Sequence, residues 1–324
     1  MAVYVNTNYS ALQGQRYLGN VQNSLTTTYQ RLSSGLRINS AKDDAAGLQI
    51  ADRLTSQING LNQGNRNAAD GIALAQTIEA GMDEISGMLQ KMRTLTVQAS
   101  NGTNTAQDRA ALSKEVASLA TEVNRIATQT TFAGKKVLNG KGTDSIFGAA
   151  GAGAGGGNNG TAGKAGDTGT MTLQVGSNKG DVISFDVESV MFSKLTGTVN
   201  DLIGNGKVFS TNDTTGAISV QLTRATTGVG NDSFGAIIQL FDNAISKVDG
   251  MRAGLGAIQN RLESSIRNQS NVAANEADAR SRIRDADFAE ESANLSQQSI
   301  IQQAAASMLM QANTRPQLGL SLLG

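Results

Sequence analysis

The stretch that decides the fold runs from Ile58 to Leu95 and reads INGLNQGNRNAADGIALAQTIEAGMDEISGMLQKMRTL. Mostly apolar residues recur in it every three or four positions, which places them on one face of a helix. The spacing begins after Ser40, and no proline interrupts it. The pattern therefore predicts one helix of roughly 55 residues, a length typical of a rod.

Helical spacing also marks both ends of the chain. It predicts an N-terminal helix of coiled-coil type that ends near Gly35, and a last helix from about Phe288 to Asn313. These two apolar stripes would leave an exposed seam in a monomer, so we expect them to pair and to drive self-assembly. The candidate self-assembly residues are Leu18, Val21, Leu25, Leu32, Ile300, Ile301 and Met308.

The middle of the chain has a different character. A helix from Thr105 to about Gln129 folds back after a turn at residues 101–104, and helical spacing returns from Ile237 to Ile283. Between them lie a Gly-rich loop at residues 148–166 and alternating residues from Met171 to Val187, which predict a β-hairpin. The predicted fold is mainly α: a long antiparallel helical rod with a terminal coiled coil and a small β-hairpin region in mid-chain.

The composition excludes several classes of chemistry. The chain has no His or Cys, so it has no Ser-His-Asp triad, thiol nucleophile, disulfide or ordinary zinc site. Its 27 basic side chains balance 27 acidic ones, which argues against a nucleic-acid partner. No apolar run is long enough to span a membrane, and no Sec-type signal is present. Taken alone, these absences favour a cytoplasmic protein.

Three features could in principle carry chemistry. The loop at residues 151–156 formally contains G-x-G-x-x-G, but no helix follows it, so we interpret it as an ordinary loop. The acidic residues near Asp285 could bind a hard cation, and Asp43 with Asp44 could act as a carboxylate pair. We favour a solvated helix face as the explanation of the acidic cluster and a helix N-terminus as that of the Asp43–Asp44 pair. We predict no enzyme activity, catalytic residue, metal or cofactor. The acidic cluster comprises Asp285, Asp287, Glu290 and Glu291.

Motifs at both ends of the chain resemble those of bacterial flagellin, the subunit of the flagellar filament. The resemblance covers residues 1–140 and 235–324, together with the hairpin. In the N-terminal half, the motifs are LSSGLRINSAKDDAAGLQIADRL (32–54), NRNAADGIALAQTIEAGMDEI (65–85) and LQKMRTLTVQASNGT (89–103). In the C-terminal half, they are GLGAIQNRLESSI (254–266), SRIRDADFAEE (281–291) and the ending LGLSLLG (318–324).

The resemblance implies a domain layout and an extracellular location in the flagellum. Residues 1–42 and 286–324 would form the coiled-coil inner tube, 43–198 and 233–285 the helical rod, and 199–232 a short variable surface segment. Flagellins leave the cell unfolded through the flagellar type III channel, so the family overturns the cytoplasmic inference. It also implies an export chaperone on the C-terminal helix, and filament cap and hook-filament junction proteins as partners.

The family further implies a patch that the host Toll-like receptor for flagellin recognises. Its residues fall here on Gln90, Arg93, Leu95, Gln98 and Glu115, which the family also uses for filament packing. Two neighbouring positions, Lys91 and Thr94, depart from the residues common in the family.

Three other functions are alternatives to a flagellar filament subunit. The flagellar hook-filament junction protein shares the terminal helices of flagellin and is the main alternative. A flagellin carrying a metalloprotease would need H-E-x-x-H, which a chain without His cannot supply. A monomeric adhesin or immune ligand would have fully ordered ends.

Overall fold

The computed structural model divides the chain into two compact units, which we call unit 1 and unit 2. Unit 1 comprises Met1–Gly60 and Asn271–Gly324, and unit 2 comprises Leu61–Ser270. The Gly-rich loop at 148–166 and most of the segment 199–232 lie outside the described residues. The structure describes residues 8–140, 144–147, 168–195, 209–211, 218–220 and 233–321.

Helices account for most of the described residues, as the spacing predicts. The predicted helix of roughly 55 residues is found as α2, which has 56. The last helix is longer than predicted, because its backbone stays helical past Asn313 and through Pro316 as far as Ser321. The helices are α1 (Tyr9–Ser34), α2 (Ala45–Ser100), α3 (Ala106–Gln129), α4 (Phe192–Leu195), α5 (Ser233–Arg284) and α6 (Phe288–Ser321).

Strands in the described part of the chain form three separate two-stranded antiparallel pairs. The longest pair is the predicted hairpin, in which Gly169 lies opposite Val187 and Gln174 lies opposite Val182. The prediction of a mainly α fold with a small hairpin region is therefore confirmed. The strands are β1 (Thr131–Phe132), β2 (Lys135–Lys136), β3 (Gly169–Gln174), β4 (Val182–Val187), β5 (Phe209–Thr211) and β6 (Ile218–Val220).

In unit 1, α1 ends where the sequence predicts. Gly35 adopts a left-handed conformation with φ 70°, and its N–H donates to the Arg31 carbonyl at 2.8 Å. Glycine reaches this conformation without the strain that a Cβ would add, so it stops the helix cleanly. The carbonyl of Gly35 then accepts the N–H of Ala286 at 3.0 Å, which joins the start of α6 to the end of α1.

Unit 2 contains a continuous apolar core. The buried face of α2 packs with residues from α3, α5 and the β3–β4 hairpin. Ion pairs run across the surface between α2 and α5 in reversed order, Asp83 with Arg252 and Arg93 with Asp242, so the two helices are antiparallel. Fully buried core residues include Ile78, Met82, Ile85, Leu89, Met92, Val116, Val123 and Phe241.

The β3–β4 hairpin lies directly against α2 because two helix positions are glycine. A Cβ at Gly64 would lie 2.1 Å from the Val175 carbonyl oxygen, and one at Gly71 would lie 2.3 Å from Cδ1 of Leu173. Any larger residue at Gly64 would collide with the main chain of the hairpin, so glycine is required for this approach.

A capping box begins α3 after the turn at residues 101–104. The Asp108 N–H donates to Thr105 Oγ1 at 3.2 Å, and the Asp108 carboxylate accepts the Thr105 N–H at 2.9 Å. The Thr105 hydroxyl also donates to this carboxylate at 2.7 Å. These side-chain and backbone hydrogen bonds lower the pKa of Asp108 below its ordinary value.

Truncation of two apolar side chains on α2 should lower the stability of the fold by very different amounts. Leu89 is fully buried, whereas Val97 is 46% exposed. Replacing Leu89 by Ala leaves a cavity and should cost about 2–5 kcal/mol of stability. The matched control Val97→Ala should change stability by less than about 0.5 kcal/mol. Urea unfolding followed by circular dichroism measures both, and equal shifts in the two midpoints would contradict the assignment of the buried face.

The capping box predicts a dependence of stability on pH. Because the folded pKa of Asp108 is depressed, its ionised form stabilises the fold above the unfolded pKa near 3.8. This contribution is lost as the pH falls through the folded pKa. The stability difference between the wild type and Asp108→Asn should therefore be largest near neutral pH and should vanish in strong acid. Urea midpoints across the acid range measure it, and a difference independent of pH would refute the role of this carboxylate.

Candidate functional site

The terminal helices α1 and α6 form a closely packed antiparallel pair in unit 1. Their Cα atoms approach within 8 Å along the seam, and a Cβ on Gly14 would lie only 3.2 Å from Leu309. Buried or half-buried side chains alternate at spacings of three and four on both helices, the geometry of a coiled coil. The seam contains Ala11, Gly14, Leu18, Val21, Leu25, Thr28 and Leu32 on α1, and Leu295, Gln298, Gln302, Ala305, Leu309 and Ala312 on α6.

Polar contacts fix the register of this pair. Arg31 forms an ion pair with the largely buried Glu291 at 3.1 Å, and the buried Thr28 hydroxyl donates to Gln298 Oε1 at 3.4 Å. At the other end, the Asn8 side chain donates to the Ala312 carbonyl at 2.7 Å. The apolar spacing on α6 does not reveal these partners, because they are polar. The spacing of Glu291, Leu295 and Gln298 was the signal that could have found them.

The predicted self-assembly residues divide into two sets. Leu18, Val21, Leu25 and Leu32 lie in the seam between α1 and α6, and Ile301 is half-buried. Ile300 and Met308 instead face outward, with 66% and 70% of their surface exposed. Further exposed apolar side chains on the same two helices were not among the candidates. They are Tyr9, Leu12, Tyr17, Tyr29, Phe288 and Met310.

A groove of about 670 Å³ runs beside the seam within unit 1. Tyr17 lines its α1 side, and Ile301, Ala304 and Met308 line its α6 side. Since these side chains are mostly apolar and the groove is open, it can accept an apolar side chain from another molecule. The outward-facing residues and this groove together leave the terminal helix pair with much exposed apolar area. We call this the terminal apolar surface.

The second predicted patch lies on α2 and α3 in unit 2. Gln90, Gln98 and Glu115 are exposed, and Arg93 is partly exposed and paired with Asp242 on α5. Leu95 differs from the other four, because it is only 8% exposed and belongs to the apolar core. The exposed positions nearest to Leu95 in the sequence are Thr94 and Val97. We call the exposed side of α2 between Gln90 and Gln98 its outer face.

Ion pairs flank this outer face on both sides. Lys91 contacts Glu115 on α3 at 3.1 Å, and Arg93 contacts Asp242 on α5. Hydrogen bonding to Asp242, followed by its charge, raises the pKa of Arg93. The patch therefore places polar and ion-paired side chains on an exposed surface of three helices, which suits protein recognition rather than catalysis.

Three of the four acidic candidates, Asp285, Asp287 and Glu291, have structural roles. Asp285 accepts the Ser281 hydroxyl at 2.6 Å, and Asp287 caps α6 by accepting the Ala289 N–H at 2.8 Å. Glu291 is paired with Arg31. Among the described residues, no group of three or more acidic side chains could hold a metal ion.

The Asp43–Asp44 pair also organises the backbone. Asp44 caps α2 by accepting the Gly47 N–H at 2.9 Å. Asp43 accepts the Ser40 N–H at 2.9 Å and the Asn39 N–H at 3.1 Å, and these bonds lower the pKa of its carboxyl. Both carboxylates are thus used in the turn before α2.

None of the helices in the described part of the chain combines the length and hydropathy that crossing a lipid bilayer requires.

Comparisons with known proteins give a consistent result. Residues 5–143 match the bacterial flagellin N-terminal helical region, and residues 238–323 match the bacterial flagellin C-terminal helical region. The chain is 37% identical to Polar flagellin F of Vibrio parahaemolyticus over 382 aligned residues and 38% identical to Flagellin B of Vibrio anguillarum over 378. Both alignments cover 100% of each chain.

A solved structure shares the fold. It is described as a flagellar hook-associated protein from Vibrio parahaemolyticus, and it matches with a TM-score of 0.51 at 16% identity. The match covers 75% of this chain and 100% of the other. This identity is too low to carry more than the fold, whereas the full-length relatives are flagellins. The chain therefore belongs to the bacterial flagellin family, the structural, non-enzymatic subunits that polymerise into the extracellular flagellar filament.

Proposed function

We propose that this chain polymerises through its terminal apolar surface and that neighbouring copies of the chain cover that surface in the filament. The observation that carries the proposal is the exposure of Ile300, Met308 and Met310, at 66%, 70% and 71%, on a helix whose opposite face is already paired. Large apolar side chains clustered on one surface mark a site of protein association. Burying one such side chain fully contributes about 1.5–3 kcal/mol.

We propose the domain layout that the flagellin resemblance implies. Residues 1–42 and 286–324 form the inner tube, where α1 and α6 pair, and 43–198 with 233–285 form the rod. The segment 199–232 is the short variable surface segment.

We further infer that the chain is exported unfolded through the flagellar type III channel. The absence of Cys in the sequence suits this route, because no disulfide can trap a partly folded chain. Before export, a chaperone covers the α6 residues from Ile300 to Met310, which would otherwise expose their apolar side chains in the cell. The filament cap and the hook-filament junction proteins contact the same terminal regions.

Recognition by the host Toll-like receptor uses the outer face of α2. Its accessible residues are Gln90, Arg93 and Gln98 on α2 and Glu115 on α3. Leu95 contributes indirectly, since its burial in the core holds α2 in place. A role as hook-filament junction protein remains the alternative, and complementation of a strain without flagellin distinguishes the two, since only a filament subunit restores long filaments.

The terminal apolar surface predicts a polymerisation defect in Ile300→Ser with Met308→Ser. Since each substitution removes apolar burial worth about 1.5 kcal/mol or more, the critical concentration for seeded growth should rise about tenfold or more per residue. Sedimentation of filaments across a concentration series measures it. The folded monomer should keep its circular dichroism spectrum, because both side chains are exposed in it.

Val182→Ser with Val272→Ser is the matched control for that experiment. These valines are also exposed, at 44% and 37%, but they lie outside the terminal helices and outside the α2 patch. Their critical concentration should stay close to that of the wild type. A comparable defect in the control, or normal assembly of the Ile300 and Met308 variant, would overturn the proposed surface.

The receptor proposal predicts that substituting the two members of one ion pair has unequal effects on receptor binding. Arg93→Ala removes the side chain that would contact the receptor and should weaken binding to its ectodomain about tenfold, a loss expected for a contacting arginine. Asp242→Ala breaks the same Arg93–Asp242 pair but leaves the arginine in place, so its binding should change little. Surface plasmon resonance measures both affinities. Equal losses of affinity would contradict a direct Arg93 contact, because they would show that the broken ion pair, not the missing arginine, weakens binding.

A further inference from the structure

We propose that Asn101 is a site of spontaneous self-modification, at which its side chain cyclises onto the backbone of Gly102 and converts to aspartate and isoaspartate. The two residues lie in the exposed turn between α2 and α3. An asparagine followed by glycine is the pair in which this cyclisation meets least hindrance, because glycine has no Cβ beside the attacking nitrogen.

The geometry of the turn leaves the attacking nitrogen available. Within the described residues, the Gly102 N–H makes no hydrogen bond, while the neighbouring Asn101 N–H donates to the Gln98 carbonyl at 3.1 Å. The Asn101 carboxamide folds over the turn, where its Oδ1 accepts the Thr103 N–H at 3.4 Å. No heavy atom lies within 4 Å of a Cβ built on Gly102, so water has open access.

The reaction needs only water. The Gly102 nitrogen attacks Cγ of Asn101, the new N–Cγ bond forms, the Cγ–Nδ2 bond breaks, and the displaced nitrogen leaves with the amide proton as ammonia. Water then adds to one of the two carbonyl carbons of the succinimide ring. Opening at one carbon gives aspartate, and opening at the other gives isoaspartate, in which the main chain runs through the former side chain.

Two other Asn-Gly pairs in the described residues provide internal comparisons. Asn59 is also exposed, but Gly60 lies inside α2, where its N–H is held by the helix and cyclisation would require local unfolding. Asn139 is half-buried and Gly140 is buried. Asn101 and Asn59 are both exposed, so exposure does not predict which of them cyclises faster. The difference is that the backbone N–H after Asn101 is not hydrogen-bonded to any described residue, whereas the one after Asn59 is held in a helix.

The modification would alter the end of α2. The Gln98 carbonyl accepts hydrogen bonds from the Asn101 N–H and from the Asn104 side chain, the latter at 2.6 Å. A new negative charge, and in isoaspartate an extra methylene in the main chain, would disturb this turn. Because Gln98 belongs to the outer face of α2, aged chains would present a changed surface there.

Peptide mapping of the full folded chain tests this inference. The protein is incubated at mildly alkaline pH, digested with trypsin and analysed by mass spectrometry. The peptide 94–109, which contains Asn101, should gain aspartate and isoaspartate forms many times faster than the peptide 54–66, which contains Asn59. In a parallel incubation in concentrated urea, the two peptides should convert at similar rates, since unfolding frees both backbone nitrogens.

Gly102→Ala is the matched variant. The added Cβ meets no neighbour within 4 Å and leaves the fold unchanged, but it hinders the attacking nitrogen, so conversion should slow several-fold. Conversion of Asn101 no faster than that of Asn59 in the folded chain would overturn the proposal. So would modification located at Asn104 by fragmentation of the peptide, or an undiminished rate in Gly102→Ala.

Discussion

A pair of helices can bury only one face of each partner, and the rest of this molecule's function depends on that constraint. In α1 and α6, the small residues Gly14 and Ala305 lie in the paired faces, where Gly14 leaves room for the side chain of Leu309. The large side chains of Tyr17, Ile300 and Met308 then remain outside the seam. Helices α1 and α6 are thus folded against each other and still have apolar surface to cover, which is the property a polymerising subunit needs.

The helices and the hairpin could be predicted because their residues repeat with a clear period. The apolar register from Ile58 to Leu95 predicted α2, and the glycine after Ser34 predicted the end of α1. The alternation from Met171 to Val187 predicted β3 and β4. Periodicity was less informative about where α6 ends, because the backbone stays helical to Ser321, beyond the last residues of the apolar spacing.

The contacts between elements could not be predicted in the same way. Nothing in the sequence shows that Gly64 and Gly71 are the places where the hairpin touches α2, since many other glycines are present. Leu95 belonged to the family's surface patch by resemblance, yet the fold buries it in the core. On α6, the predicted apolar stripe comprised Ile300, Ile301 and Met308. The seam instead includes the polar residues Glu291 and Gln298.

Hydrogen exchange tests most directly whether the outer face of the terminal pair is the assembly surface. Amide protection in α1 and α6 would be compared between the free monomer and the assembled filament. The account predicts that protection of residues 9–34 and 288–314 rises strongly on assembly, while amides of the buried α2 and α5 core, already protected, change little. Equal protection of the terminal helices in both states would contradict it.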